Sequence, residues 1–264
     1  MSNKGNDKPL VKMVDIEKRF GSVQALKGVD FEVYPGEVVG LVGDNGAGKS
    51  TLMRILTGIY HPSRGDIYFR GEKVLIDSPK KARDMGIEVV HQGFGLLDSM
   101  TVARNVFLAS EPLIKVGPVK LLDMEKMNME TRKVIEHAGI RTGVEPDSIV
   151  QYLSGGQRQA VKIGRAIYFK AEVVILDEPT IALSIREKDH VGELVNDLRK
   201  HNVAVIYISH DLEEVYELAD KITILDVGEK LAEYKRGEVS LEVLYDIIRE
   251  GRIPPDIKQQ NKKE

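Results

Sequence analysis

The run Gly43-Asp44-Asn45-Gly46-Ala47-Gly48-Lys49-Ser50 fits the spacing G-x-x-x-x-G-K-[ST]. That combination suits a nucleotide's phosphates. Glycines let the backbone wrap closely around phosphate oxygens, and N–H groups at a helix start supply partial positive charge. Lys49 adds a full charge for the β- and γ-phosphates, and Ser50 offers a hydroxyl to Mg²⁺. The loop has the context it needs: a buried-strand run (VVGLV) before it and a helix-forming run (TLMRILTG) after it. Asn45, Gly46, Ala47 and Thr51 fall in the same cradle. Farther along, Val173-Val174-Ile175-Leu176 lead into Asp177-Glu178. Two carboxylates then emerge at the C-terminal end of a strand, the edge where open α/β sheets bind ligands. Asp177 is suited to hold Mg²⁺ opposite Ser50, and Glu178 to orient or deprotonate an attacking water.

These residues must be positioned by a fold of ordinary composition. The chain has 264 residues, 42% of them apolar and 30% charged, and 38 basic against 41 acidic side chains give a net charge of −3. This is the profile of a globular domain and gives no reason to expect nucleic-acid binding. With no cysteine, disulfides, thiolate nucleophiles and Cys-ligated metal centres are excluded. No apolar run approaches the roughly 18 residues needed to cross a bilayer. The polar start MSNKGNDKP does not read as a signal peptide.

Short β-rich runs at 29–33, 38–42, 66–70, 87–90, 173–176, 203–208 and 222–225 read as strands. Several are apolar on consecutive positions, which suits strands covered on both faces. Helices fit 49–58, 79–85 (capped by Ser78), 123–138, 154–170, 185–200 and 211–219, with another in the 236–252 stretch. Strand–helix alternation in the last third predicts a parallel sheet with helical crossovers. Strands without intervening helices in 10–35 and 66–76 predict an antiparallel piece, and 100–165 reads as a mostly helical insertion. The expected organisation is a flexible N-terminus at 1–8, a nucleotide-binding domain at 9–240 with a helical subdomain at about 100–165, and a C-terminal helix and polar tail at 241–264.

A phosphate loop alone fixes only nucleotide binding. The discriminating segment is Leu153-Ser154-Gly155-Gly156-Gln157, followed by RQAVKIGRAI. Here the chain resembles the ATP-binding subunit of ABC transporters, over about residues 10–235, with motifs in the family's order. The phosphate loop comes first, and Gln92 matches the Q-loop. LSGGQ and the Asp177-Glu178 pair follow, and His210 matches the switch histidine. Phe20, in Lys18-Arg19-Phe20-Gly21, matches the aromatic that stacks on adenine. The expected fold is therefore α/β: a P-loop NTPase parallel-sheet core with an antiparallel β subdomain and a helical insertion.

The resemblance implies an ATPase using ATP and Mg²⁺. Lys49, Gln92, Glu178 and His210 would serve catalysis, and Ser50, Gln92 and Asp177 the metal. Ser154 is a good N-cap, and Gly155-Gly156 put backbone N–H groups at a helix start, a second anion site. In the family, Ser154, Gly155, Gly156 and Gln157 of one copy would close over ATP held by another. One phosphate loop and one LSGGQ per chain then make a head-to-tail homodimer with two equivalent sites. The stretch VVHQGFGLLDSMTVARNVFLA looks like that of sugar importers of the ribose, xylose and fructose kind. It implies a permease docked near residues 93–115, a sugar-binding protein as an indirect partner, and a peripheral place on the cytoplasmic face of the membrane. Ser184 stands where the family commonly has an aspartate, which puts coupling between the two sites in question. Two alternatives remain beside transport: a soluble ABC ATPase, and a non-hydrolysing nucleotide-binding partner.

Overall fold

The computed structural model describes residues 8–91, 96–108, 110–140, 143–181 and 183–254. The chain divides into two compact units. One comprises Met1–Val89, Glu172–Glu178 and Leu198–Glu264, the other Val90–Ala171 and Pro179–Asp197.

In the first unit, β1 (Val11–Phe20), β2 (Val23–Val33), β4 (Arg64–Phe69) and β5 (Glu72–Val74) form an antiparallel sheet in the order β2-β1-β4-β5. A second sheet has the order β12-β11-β3-β10-β9-β6. Its strands are β3 (Val38–Val42), β6 (Ile87–His91), β9 (Val173–Asp177), β10 (Ala204–Ile208), β11 (Lys221–Asp226) and β12 (Glu229–Lys235). β3, β9, β10 and β11 pair in parallel, and β12 closes the edge antiparallel to β11. β3 and β10 are buried at every position, as their unbroken apolar runs require. β12 was not among the expected strands. Its sequence, EKLAEYK, is charged and buries only Tyr234, because it is an edge with one neighbour.

Helix α1 (Lys49–Leu56) sinks Leu52, Met53, Ile55 and Leu56 into the core. Met13, Phe31, Val39, Ile175 and Ile206 line the same core. Each such buried side chain contributes about 1.5–3 kcal/mol. Helix α2 (Pro79–Asp84) is capped by Ser78, whose Oγ accepts from the Lys81 N–H. Helix α7 (Leu212–Leu218) follows β10, and α8 (Leu241–Glu250) buries Leu244 and Ile247.

The second unit holds α3 (Val102–Val106), β7 (Leu113–Val116), β8 (Val119–Leu122), α4 (Met124–His137) and α5 (Gly155–Tyr168). It also holds most of α6 (Ile185–Lys200). Val102, Val106, Phe107, Met127, Val134 and Val161 pack together as its own core. The mostly helical reading of 100–165 leaves out the β7–β8 hairpin. Its strands are apolar, yet all eight residues are exposed, so no alternation of burial marked them in the sequence.

Candidate functional site

Strand register assembles the first group of residues. Leu41 of β3 lies level with Ile208 of β10, and Ile208 lies level with Asp177 of β9. The C-terminal ends of three adjacent parallel strands therefore lie along one edge. One or two residues beyond them, the chain reaches Gly43, Glu178 and His210. Asp220 anchors the start of this arrangement: its Oδ2 accepts the Val38 N–H at 2.9 Å and is itself held by Arg199.

The loop after β3 is tightly backed. At Gly43 (φ 140°) a Cβ would lie 2.0 Å from the Leu225 carbonyl oxygen. At Gly48 (φ 105°), the N-cap of α1, it would lie 2.7 Å from a Leu26 methyl. No other residue type fits either place. The turn between β11 and β12 braces the loop from behind, with the Gly228 N–H donating to the Ala47 carbonyl at 3.1 Å. Asp44, Asn45 and Gly46 stand exposed at the apex, and Ser50 is exposed on the first turn of α1 beside Thr51. That helix has no acidic residue in its first turn and no side-chain cap, so its N–H groups are not neutralised from within.

Lys49 folds back over the loop. Its Nζ donates to the Gly43 carbonyl at 2.5 Å and to the Asp44 carbonyl at 3.0 Å. Burial lowers its pKa from the ordinary 10.5, while Glu178, Asp44 and Asp177 pull it back up. A partly desolvated cation held by two carbonyls is poised for exchange onto phosphate oxygens.

Glu178 sits in the left-handed region, φ 51°, with its N–H donating to the Ile208 carbonyl at 2.9 Å. A glutamate in that conformation is strained, and such strain concentrates at working sites. Its Oε2 accepts the His210 N–H at 3.3 Å and lies 2.9 Å from His210 Nδ1. The His210 loop is fixed in turn by Ser209, whose Oγ accepts the Asp211 N–H at 3.0 Å, and by Asp211, which caps α7. The fold thus brings Lys49, Asp177, Glu178 and His210 to one edge. Gln92 lies outside the described residues.

Phe20 ends β1, 42% exposed. Tyr60 meets it edge-on at 5.1 Å. Lys18 Nζ stands 5.1 Å from the Phe20 ring and 5.6 Å from Tyr60, and Arg54 lies 5.8 Å from Tyr60. Tyr60, Lys18 and Arg54 were missed from sequence. Lys18 and Phe20 share a face of β1 by their two-residue spacing, which is the one signal the sequence offered.

The second unit carries the other expected group. Ser154 Oγ accepts the Gln157 N–H at 3.2 Å, and Gln157 Oε1 accepts the Ser154 N–H at 2.9 Å. This reciprocal capping box fixes the start of α5. The Ser154 oxygen is used as an acceptor, which leaves its O–H free to donate to an anion. Asn105, fully buried in α3, was also missed. Its amide accepts from the Leu97 N–H and donates to the Leu97, Met100 and Thr101 carbonyls. It pins the loop that follows the Gln92 segment.

No group of three or more His, Cys, Asp or Glu among the described residues could hold a metal ion. The oxygen donors Ser50 and Asp177 suit Mg²⁺ bound jointly with nucleotide phosphates, the mode in which few protein ligands are needed.

A glycine loop, a half-buried lysine and two carboxylates at one parallel-sheet edge define a P-loop ATPase. The model of the ABC transporter family matches residues 26–181. Over 241 residues the chain is 42% identical to the xylose/arabinose import ATP-binding protein of Sulfolobus acidocaldarius, covering 90% of this chain and 93% of that protein. It is 38% identical over 251 residues to the ribose import ATP-binding protein of Caldanaerobacter subterraneus subsp. tengcongensis. That alignment covers 95% of this chain and 49% of the relative, so the chain spans about half the relative's length. A dimeric ATP-binding cassette solved in a post-hydrolysis state with ADP and phosphate superposes with a TM-score of 0.72. The two are 25% identical, over 87% of this chain and 100% of that one. The chain belongs to the ABC transporter family, as one of its ATP-binding, ATP-hydrolysing subunits.

Proposed function

We propose that this chain powers the import of a monosaccharide, closing as a head-to-tail homodimer around two ATP molecules. The observation that carries the site is the register that sets Asp177 level with Ile208 and Ile208 level with Leu41. It gathers Lys49, Asp177, Glu178 and His210 where a γ-phosphate would lie. The backbone of 43–48 cradles the phosphates, with Asn45, Gly46 and Ala47 at the loop and Ser50 and Thr51 opening α1. Phe20 receives the adenine. Lys49 leaves its two carbonyls for the β- and γ-phosphates. Ser50, Asp177 and Gln92 would hold Mg²⁺, which would supply positive charge to offset that of the triphosphate. Glu178 orients and deprotonates the attacking water, and His210 holds Glu178 and the γ-phosphate in line. The Ser154 hydroxyl, the N–H groups of Gly155 and Gly156 and the side-chain amide of Gln157 in the second copy close the far side. Hydrolysis separates the phosphate held by each side and lets the copies part.

The sugar assignment is supported by the import proteins for xylose/arabinose and ribose to which the chain is similar. The dimer is supported by the dimeric cassette of like fold. Permease contact falls near residues 93–115, of which 93–95 and 109 lie outside the described residues. A sugar-binding protein would act only through the permease. No described helix is long and apolar enough to cross a membrane, and in this reading the chain sits on the cytoplasmic face through its permease. The test is Glu178→Gln: it retains ATP, hydrolyses it at least about a hundredfold more slowly, and elutes as a dimer when Mg-ATP is present. A variant that stays monomeric with ATP bound refutes the shared site. Transport assays with a pentose and hexose panel test the cargo.

A further inference from the structure

The β7–β8 hairpin belongs neither to the nucleotide edge nor to the α5 tip. Its register pairs Ile114 with Leu121, Lys115 with Lys120 and Val116 with Val119. Alternation along the strands puts Ile114, Val116, Val119 and Leu121 on one face. Lys115 and Lys120 stand on the other, with Leu113 and Leu122 behind them. The four side chains of the aliphatic face are each between 49% and 55% exposed. A two-stranded hairpin is marginal in water, and this one buries neither face. The lysines add a cost, since like charges directly opposite each other destabilise a strand pair. Neither has an ion-pair partner among the described residues. The nearest acids in sequence, Glu111 and Asp123, lie at the open end, where Asp123 caps α4. Gly117, φ 60°, makes the turn at the tip beside the lysines.

An aliphatic face alone would suit any apolar partner, but the paired lysines select among them. A second copy packed on the aliphatic face would leave the lysine pair on the far side, its repulsion unrelieved. An anionic surface relieves their repulsion, and a bilayer with anionic headgroups offers that charge together with an apolar layer beneath it. We propose that the hairpin is a shallow lipid anchor. Ile114, Val116, Val119 and Leu121 enter the boundary between headgroups and acyl chains, and Lys115 and Lys120 meet headgroup phosphates. The inference rests on the membrane-peripheral placement proposed above and adds an attachment independent of the permease.

The chain contains no tryptophan, so Val116→Trp is a clean reporter in the purified full-length protein. Vesicles of equal parts phosphatidylglycerol and phosphatidylcholine should shift its emission to the blue and carry the protein in flotation, whereas phosphatidylcholine alone carries much less. Lys115→Gln with Lys120→Gln should weaken binding roughly thirtyfold, about five- to sixfold per lysine, and added salt should act in the same direction. Thermal unfolding of each variant, with the single Lys120→Gln as a milder change, separates lost binding from lost fold. No binding to anionic vesicles, or equal binding by the glutamine pair, overturns the proposal. So does a glutamine pair that loses only its hold on the detergent-solubilised permease, since the hairpin would then face protein. Vesicle binding needs neither ATP nor permease. A chain that floats but neither hydrolyses ATP nor drives transport would refute the function and leave the anchor standing.

Discussion

Lys49 joins the loop's geometry to its electrostatics. Two carbonyls hold it while burial depresses its pKa, so above that lowered value it loses its proton more readily than a free lysine. A bound triphosphate would keep it charged. ATP affinity should therefore fall as pH rises through the folded-state value below 10.5. Equilibrium titration across the alkaline range should show that fall in the parent, beginning at lower pH than an ordinary lysine would set. Lys49→Ala should bind ATP weakly at every pH and lack it, and a parent profile that matches the Lys49→Ala profile would contradict the assignment. At the other end of the proposed nucleotide site, Phe20 offers an exposed ring braced by Tyr60. Base stacking is worth about 1–3 kcal/mol, so Phe20→Ala should raise the KM for ATP severalfold or more with little change in kcat. Tyr60→Leu should give a smaller shift in the same direction, and steady-state kinetics distinguish the two.

Among the elements, α5 and α3 depend on single side chains. The Ser154–Gln157 box satisfies donors that the start of α5 would otherwise leave open. Gln157→Ala should cost about 1 kcal/mol, seen as a lowered unfolding midpoint, and should weaken ATP-driven dimerisation more than ATP binding. Asn105 carries a heavier load. Its amide serves four backbone groups of the loop 97–101 from a fully buried position. Leaving buried polar groups unpaired costs about 1–3 kcal/mol each. Denaturant unfolding of Asn105→Ala should show a loss of at least that size. A near-neutral result would mean the loop re-pairs with water.

For the whole molecule, the proposed site, completed by a second copy, would make activity depend on concentration. Specific ATPase rate should rise with protein concentration until dimers predominate and then level off. An equal mixture of Lys49→Ala and Ser154→Ala chains should recover part of the activity, because each mixed dimer keeps one intact site. Strict independence of concentration, with no recovery on mixing, would place the whole reaction within one chain.

The sequence by itself determined the chemistry that is local in the chain. Gly43 to Ser50, Ser154 to Gln157 and the acids after Val173–Leu176 are contiguous. Their physics depends on neighbours only a few residues away: a strand before, a helix after, a cap at the turn. The buried strands were legible for the same reason, since a run such as VVGLV is stable only when covered on both faces. Tertiary structure decided what depends on register and on distant partners. Nothing in the chain order says that β10 lies between β3 and β9, yet that order brings His210 within 2.9 Å of Glu178, 32 positions earlier. Tyr60 against Phe20 and Asn105 under its loop are contacts set by packing. The hairpin at 113–122 and the edge strand β12 stayed hidden because exposure erases the alternation that burial writes into a sequence.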